Sequence, residues 1–321
     1  MERDKHRFYN FLDDLCERSR FELIVVKTLG SRFEPSFIFV LFDLIYIPYI
    51  CYKNIFNGKE LIIIREFNTV PFFFTSILLF PLRNKVILNV NHNFQRCVYS
   101  HIHAKLIKLF DRLGYKYLCF EGCDCPVELN NSVLSIPFPM NSISTKDFTN
   151  SPLCIGFVGS YRKEKNIESL LFAIEKFTNK YTLVLGTDNS ELLQQYHSKG
   201  WDVYDTSTNE NYEKCLDKLD VLLINYDLQS YFYRHSGVIT DLVSKGKLVI
   251  IPNYNFFSKQ VNTPIQIGVT FNSLDQIENA INFGVDNILP TYTERLKTYY
   301  EYREIANLVL LFDQQVSRFF V

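Results

Sequence analysis

Arg162, Lys163 and Lys165 form a basic loop that follows Gly159 and Ser160 at the end of an apolar run, 154–158. The loop leads into a helical pattern in which Ile167, Leu170, Leu171 and Ile174 share one face. Farther along, Tyr233 and Arg234 lead into Ser236 and Gly237, which open a second helical pattern carrying Asp241 one turn in. Helix starts of this kind present backbone N–H groups and the positive end of the helix dipole to an anion. Gly159 permits close backbone approach, and Lys165, Arg162 and Arg234 add fixed charge. The chemistry these residues suit is holding a diphosphate that gains charge as its bond to carbon breaks. Any one of these cations would serve as well as a solvated loop charge, and two such loops in one half of the chain favour the anion site.

Around this pair stand further candidates. Asp241 could accept hydrogen bonds from two ribose hydroxyls, or be an ordinary acid on a helix face. Gly186 and Thr187 end an apolar strand pattern and, with Tyr233, border the place where a base or donor sugar would lie. In the first half, His92 follows the strand pattern 85–90, and ligands of open α/β sheets gather beyond the carboxyl ends of strands. It is a candidate for contact with a transferred sugar or an acceptor hydroxyl, with a structural loop histidine as the alternative. Arg65 and Glu66 end another strand pattern and would border the same acceptor side.

Several chemistries lack their signatures. The chain holds no GxG dinucleotide fingerprint, no GxxxxGK[ST] loop, no HExxH and no GxSxG. It also lacks a pair of aspartates two positions apart of the kind that holds a divalent metal on a sugar nucleotide. The expectation is that no metal and no cofactor takes part. Cys119, Cys123 and Cys125 cluster, with His101 and His103 upstream, but their spacing fits no common zinc pattern, so reduced cysteines near a strand end are expected.

The elements that position these residues alternate between strand and helix patterns, which reads as α/β with parallel sheets covered on both faces. Strands are expected at 21–27, 60–64, 85–90, 115–120 and 133–136, then at 154–158, 181–185, 201–204, 220–224, 248–251 and 267–271. Helices are expected at 5–19, 37–55, 71–80, 101–113, 166–178, 189–198, 209–218, 237–245 and 274–283, with a long one over 291–320. A shift to Pro, Asn, Ser and Thr between 137 and 152 marks the boundary between halves.

With 321 residues the chain is long for one core, and its formal charge of −1 gives no reason to expect a nucleic-acid partner. Lys and Arg outnumber Asp and Glu by 18 to 15 over residues 1–150 and are outnumbered 16 to 20 thereafter. Eight scattered cysteines and the charged first residues point to a reducing cytoplasm. The oily stretches 36–52 and 71–82 are short for a span and are read as buried helices packed on a sheet. Peripheral attachment at the inner face of a cell membrane stays open as the alternative.

The run from Gly156 to Lys165, and the stretch 220–252 with its Ser236-Gly237 loop and its Gly-Lys-Leu-Val-Ile-Ile-Pro ending, resemble the donor loop and the two-glutamate region of family 4 GT-B glycosyltransferases. The resemblance is specific over 154–252. It implies two Rossmann-like domains facing a cleft: an acceptor domain at 1–145, a nucleotide-sugar domain at 150–290, and a terminal helix, 291–321, crossing back to the first domain. Lys165 then matches the diphosphate lysine, Asp241 stands for the second, ribose-binding glutamate, and His92 matches the histidine near the transferred sugar. Ser160 replaces the loop arginine, leaving Arg162 as its substitute, and Tyr233 replaces the first glutamate.

The implied reaction is metal-independent, retaining transfer from a nucleoside-diphosphate sugar to a glycan or lipid-linked acceptor in bacterial surface polysaccharide synthesis. Two other readings stay open. One is a sugar-nucleotide epimerase of the same architecture, and the other a degenerate member that binds a nucleotide sugar or a partner protein without turnover.

Overall fold

The computed structural model describes residues 5–28, 37–65, 67–122, 124–130, 133–145, 148, 152–234 and 236–320. They form two compact units, one spanning 140–304 and the other 5–139 with the segment from Ile305 onward. Each is built on one parallel sheet.

The N-terminal unit contains β1 (Leu23–Val26), β2 (Leu61–Ile64), β3 (Val86–Asn89), β4 (Lys116–Phe120) and β5 (Val133–Ile136), side by side in chain order. Leu61, Ile62, Ile63 and Ile64 are all buried, as a strand covered on both faces must be. The crossovers run through the helices Phe37–Phe56, Thr69–Leu78, Asn91–Tyr99 and His101–Arg112. Parallel strands that always step the same way, through right-handed crossovers, place those helices on one face of the sheet.

The opposite face is covered from both ends of the chain. From the first helix, Lys5–Arg18, Phe11 meets the Phe120 ring edge-on at 6.2 Å. The last helix, Ile305–Phe320, buries Leu308, Phe312 and Val316. Its Gln315 accepts from the Ser135 N–H and donates to the Ser135 carbonyl, both at 2.8 Å. Asp313 accepts from the Ser19 hydroxyl and the Arg20 N–H. The terminal helix therefore crosses back, as the resemblance implies. The expected helix over 291–320 is two helices, Tyr292–Arg303 and Ile305–Phe320, parted at Glu304, whose ψ of 147° is extended.

The C-terminal unit holds β6 (Cys154–Val158), β7 (Thr182–Thr187), β8 (Asp202–Asp205), β9 (Val221–Leu223), β10 (Leu248–Pro252) and β11 (Gly268–Phe271). Their order is β11-β10-β9-β6-β7-β8. The chain moves outward from β6 through β7 to β8, then returns to the other side of β6 with β9. The carboxyl ends of β6 and β9 thus flank a topological switch point, where such sheets leave a crevice for a ligand.

One expected loop proved to be a helix: the segment after β3 is the first turn of Asn91–Tyr99. A further helix, Asn255–Asn262, follows β10, where no element was expected. The oily segments do form helices, Phe37–Phe56 and Thr69–Leu78, but are not buried all round. Phe42, Ile45, Tyr49, Phe74 and Ile77 are exposed. Among the described residues no helix is long and apolar enough to cross a membrane.

Candidate functional site

The crevice at the end of β6 is shaped first by Gly159. Its φ of +149° lies where side chains are rarely accommodated, and a Cβ there would come within 3.1 Å of Lys165 Nζ. The chain then passes Ser160 and Arg162 into a single 3-10 turn, Lys163–Lys165, and Asn166 takes a left-handed conformation before the helix Ile167–Ile174 begins. Asn is among the few residues that tolerate this. The Tyr161 N–H donates to Asp188 at 2.6 Å, and the Glu164 carbonyl accepts from the Asp227 N–H at 2.7 Å, which pins the loop to the segments following β7 and β9.

Lys165 is held inward. Only 7% of it is exposed, and its ammonium donates to the Ser160 carbonyl at 2.9 Å and the Ser160 hydroxyl at 3.3 Å. It also lies 5.7 Å from the centre of the Tyr226 ring. Such a cation is partly desolvated and fixed in position, the condition under which charge acts strongly on a neighbouring anion.

Tyr226 and Tyr231, which sequence reasoning missed, form the floor. Their rings lie 4.3 Å apart, Phe257 packs against both, and the Tyr254 hydroxyl donates to the Tyr226 carbonyl at 2.7 Å. Burial pushes the Tyr226 hydroxyl above its ordinary pKa, opposed by a hydrogen bond with Ser236 and by the charge of Arg162. Burial likewise raises Tyr231, against the charges of Arg162 and Arg234. Both arginines are thus within electrostatic reach of the same ring. Arg162, Lys165, Arg234 and Ser236, taken from two loops far apart in sequence, converge on one aromatic floor.

Ser236 precedes the helix Gly237–Ser244, but its side chain makes no capping bond and turns to Tyr226 instead. The buried Nε of Arg234 and the buried hydroxyl of Thr187 have no hydrogen-bond partner among the described residues. A buried polar atom in that state costs about 1–3 kcal/mol until something satisfies it.

The other candidates are placed as follows. Asp241 is buried and accepts from the Tyr212 hydroxyl at 3.0 Å, so it is not a solvent-facing acid. Tyr233 is also buried, against Phe232. Gly186 packs closely: a Cβ there would come within 2.5 Å of Cys215 Sγ, which gives its small size a reason in core packing.

In the N-terminal unit, His92 is exposed on the first turn of Asn91–Tyr99, at the carboxyl end of β3. Its neighbours are structural: Asn91 accepts from the Phe120 N–H, and Asn93 donates to the Phe67 carbonyl and the Thr69 hydroxyl. Arg65 is buried at the end of β2, while Glu66 and Cys123 lie outside the described residues. Between Phe37–Phe56 and Thr69–Leu78 lies a small recess with room for about one water molecule, lined in part by Thr28, Asp43, Phe67 and Asn68. Among the described residues no group of three His, Cys, Asp or Glu side chains could hold a metal ion.

No protein-family model matches the sequence, and no curated protein matches it. Solved structures do. One is HepE from Anabaena in complex with UDP and glucose, which has a TM-score of 0.62 at 11% identity, over 96% of this chain and 94% of that one. Another is a glycosyltransferase from Rickettsia africae ESF-5, with a TM-score of 0.55 at 12% identity, over 88% of this chain and 82% of that one. The lipopolysaccharide outer core galactosyltransferase WaaB, in its apo form, gives 0.53 at 11% identity, over 87% of this chain and 81% of that one. The fold is GT-B. Within it, the cations described above occupy the switch point of the C-terminal sheet.

Proposed function

We propose that this chain is a glycosyltransferase that takes its sugar from a nucleoside-diphosphate donor bound at the end of β6 and β9. One observation carries the reading: Lys165, Arg162, Arg234 and the Ser236-Gly237 helix start meet around the adjoining rings of Tyr226 and Tyr231 at the switch point of a GT-B sheet. Transfer breaks the bond between the sugar's anomeric carbon and the donor phosphate oxygen, and negative charge collects on the departing diphosphate. Fixed cations and oriented N–H groups stabilise that charge with little reorganisation. Asp241 and Tyr212 together would meet the ribose hydroxyls, and the orphaned Thr187 hydroxyl would bond with the nucleoside end.

The resemblance adds a retaining, metal-independent course. The acceptor hydroxyl attacks on the face the diphosphate leaves, and its proton passes to the departing phosphate oxygen. His92 is the acceptor-side candidate of the N-terminal unit, for a glycan or a lipid-linked sugar. Because HepE was solved with UDP and with UDP-glucose, uridine diphosphate is the first nucleotide to try.

Thermal melts with UDP, GDP, ADP, CMP and dTDP, with and without magnesium, test the site. A nucleoside diphosphate at a hundred times its dissociation constant adds about 2.7 kcal/mol of stability, a shift of several degrees. If none of the five raises the melting temperature, the donor site is refuted. A second reading, binding without turnover, is favoured by Tyr233, which brings a buried phenol where the resembled family has a carboxylate. Release of diphosphate from a bound nucleotide sugar would eliminate that reading.

A further inference from the structure

The helix Thr69–Leu78 is inside out. Its buried positions are Thr69, Phe72, Thr75 and Ser76, whereas Val70, Phe74, Ile77 and Leu78 face solvent at 48%, 57%, 56% and 53% exposure. Globular helices turn the opposite face to water. The neighbouring helix Phe37–Phe56 does the same. Phe42, Ile45, Tyr49, Lys53 and Phe56 recur every three or four residues on one exposed stripe, while Asp43 is buried with Ile47 and Cys51. The Tyr52 hydroxyl donates to the Leu78 carbonyl at 2.9 Å, so the two helices lie side by side. Since all four crossover helices share one face of the sheet, their outer side is one surface, continued by Phe80, Tyr99 and Ile102.

Charge on these elements is one-sided. Lys53, Lys85, Arg96, Lys105 and Arg112 are exposed, and Arg83 stacks over Phe80 at 4.2 Å. The only acids in the four helices, Asp43 and Asp111, are 9% and 2% exposed. We propose that this face docks in the plane of an anionic bilayer, with the Phe, Ile and Leu side chains in the interface and the Lys and Arg stems reaching lipid phosphates. A second copy of the chain fits less well, because a two-fold contact would set these cations against their own counterparts. This inference stands apart from the donor chemistry.

The test is flotation of the full chain with vesicles of phosphatidylcholine alone, and of phosphatidylcholine with about one-third phosphatidylglycerol. Partitioning onto the anionic vesicles should be roughly tenfold stronger and should weaken as salt rises. The double substitution Ile45→Ser with Phe74→Ser should reduce it by roughly tenfold or more. Lys53→Glu with Arg83→Glu should abolish the preference for anionic lipid. All these side chains are at least partly exposed, so circular dichroism and melting should be unchanged, as should any nucleotide-induced shift. That control separates this inference from the donor reading. A chain that binds neither vesicle, or binds equally well with both pairs replaced, overturns the proposal. Concentration-dependent self-association that the Ile45→Ser and Phe74→Ser pair removes, with no vesicle binding, assigns the face to a second copy instead.

Discussion

The two units use the same strand and helix vocabulary yet differ in strand order, and that difference separates a site from a surface. The C-terminal sheet reverses direction between β6 and β9, and the gap gathers Lys165, Arg162, Arg234 and Ser236 on Tyr226 and Tyr231. The N-terminal sheet never reverses. Its crossovers lie on one side and build a continuous outer face, where thirteen of the nineteen large apolar side chains exposed among the described residues occur, between Leu41 and Ile102. Both units bury polar side chains, Asp43, Thr69 and Ser76 in the first and Lys165, Thr187 and Asp241 in the second, but the C-terminal unit exposes only five of those nineteen, Tyr161, Phe172, Leu228, Phe283 and Tyr302. Replacements at the switch point are therefore expected to change donor chemistry, and replacements on the outer N-terminal face to change the proposed attachment.

The largest expected effect falls on the switch point. Lys165→Ala should lower transfer by roughly a hundredfold or more, measured as release of nucleoside diphosphate, with the circular dichroism spectrum retained. Full activity in that variant would break the comparison. Next is Gly156→Ala on β6, where a Cβ would come within 1.8 Å of the Val184 carbonyl. Forcing the strands apart should cost about 3 kcal/mol and drop the melting temperature, while Ile45→Ser on the outer N-terminal face should leave it unmoved. A smaller effect is due at Asp241. Asp241→Asn should weaken nucleotide binding roughly tenfold by calorimetry, and Tyr212→Phe, which removes its hydroxyl partner, by less. Equal affinity in both would reduce the acid to a packing role. Smallest is Thr187→Val, a near-isosteric change that removes an orphaned hydroxyl. Stability should hold or rise by up to about 1 kcal/mol while nucleotide affinity falls; a clear loss of stability would show that the hydroxyl is satisfied in the folded state.

Much of the fold could be read from the chain because a buried parallel strand advertises itself. Leu61–Ile64, Val133–Ile136, Cys154–Val158 and Leu248–Pro252 are short apolar runs, and the expected limits fall within two residues of the observed ones. What could not be read depends on distant partners. Asn91-His92-Asn93 looks like a loop, and becomes a helical turn because Asn91 and Asn93 bond to Phe120, Phe67 and Thr69. No Pro or Gly announces the break at Glu304. Arg303 is buried just before it, donating to the Gln260 and Thr263 carbonyls.

The site divides in the same manner. Gly159, Arg162, Lys165 and Arg234 stand out by type and spacing, whereas Tyr226 and Tyr231 resemble ordinary core tyrosines until the cations are seen around them. The outward aspect of Phe74 and Ile77 was hidden for a similar reason. An oily helix is equally well explained by a core or by an interface until its neighbours are known.

The return of the helix Ile305–Phe320 to the first sheet has a consequence for synthesis. The unit that leaves the ribosome first is completed last, because β5, which meets the helix Ile305–Phe320 through Ser135 and Gln315, waits for that helix to be made. During that interval an apolar sheet face and an oily helical layer are both open in the nascent protein. A chain cut before residue 305 would thus leave that sheet face uncovered and be a substrate for chaperones and proteases.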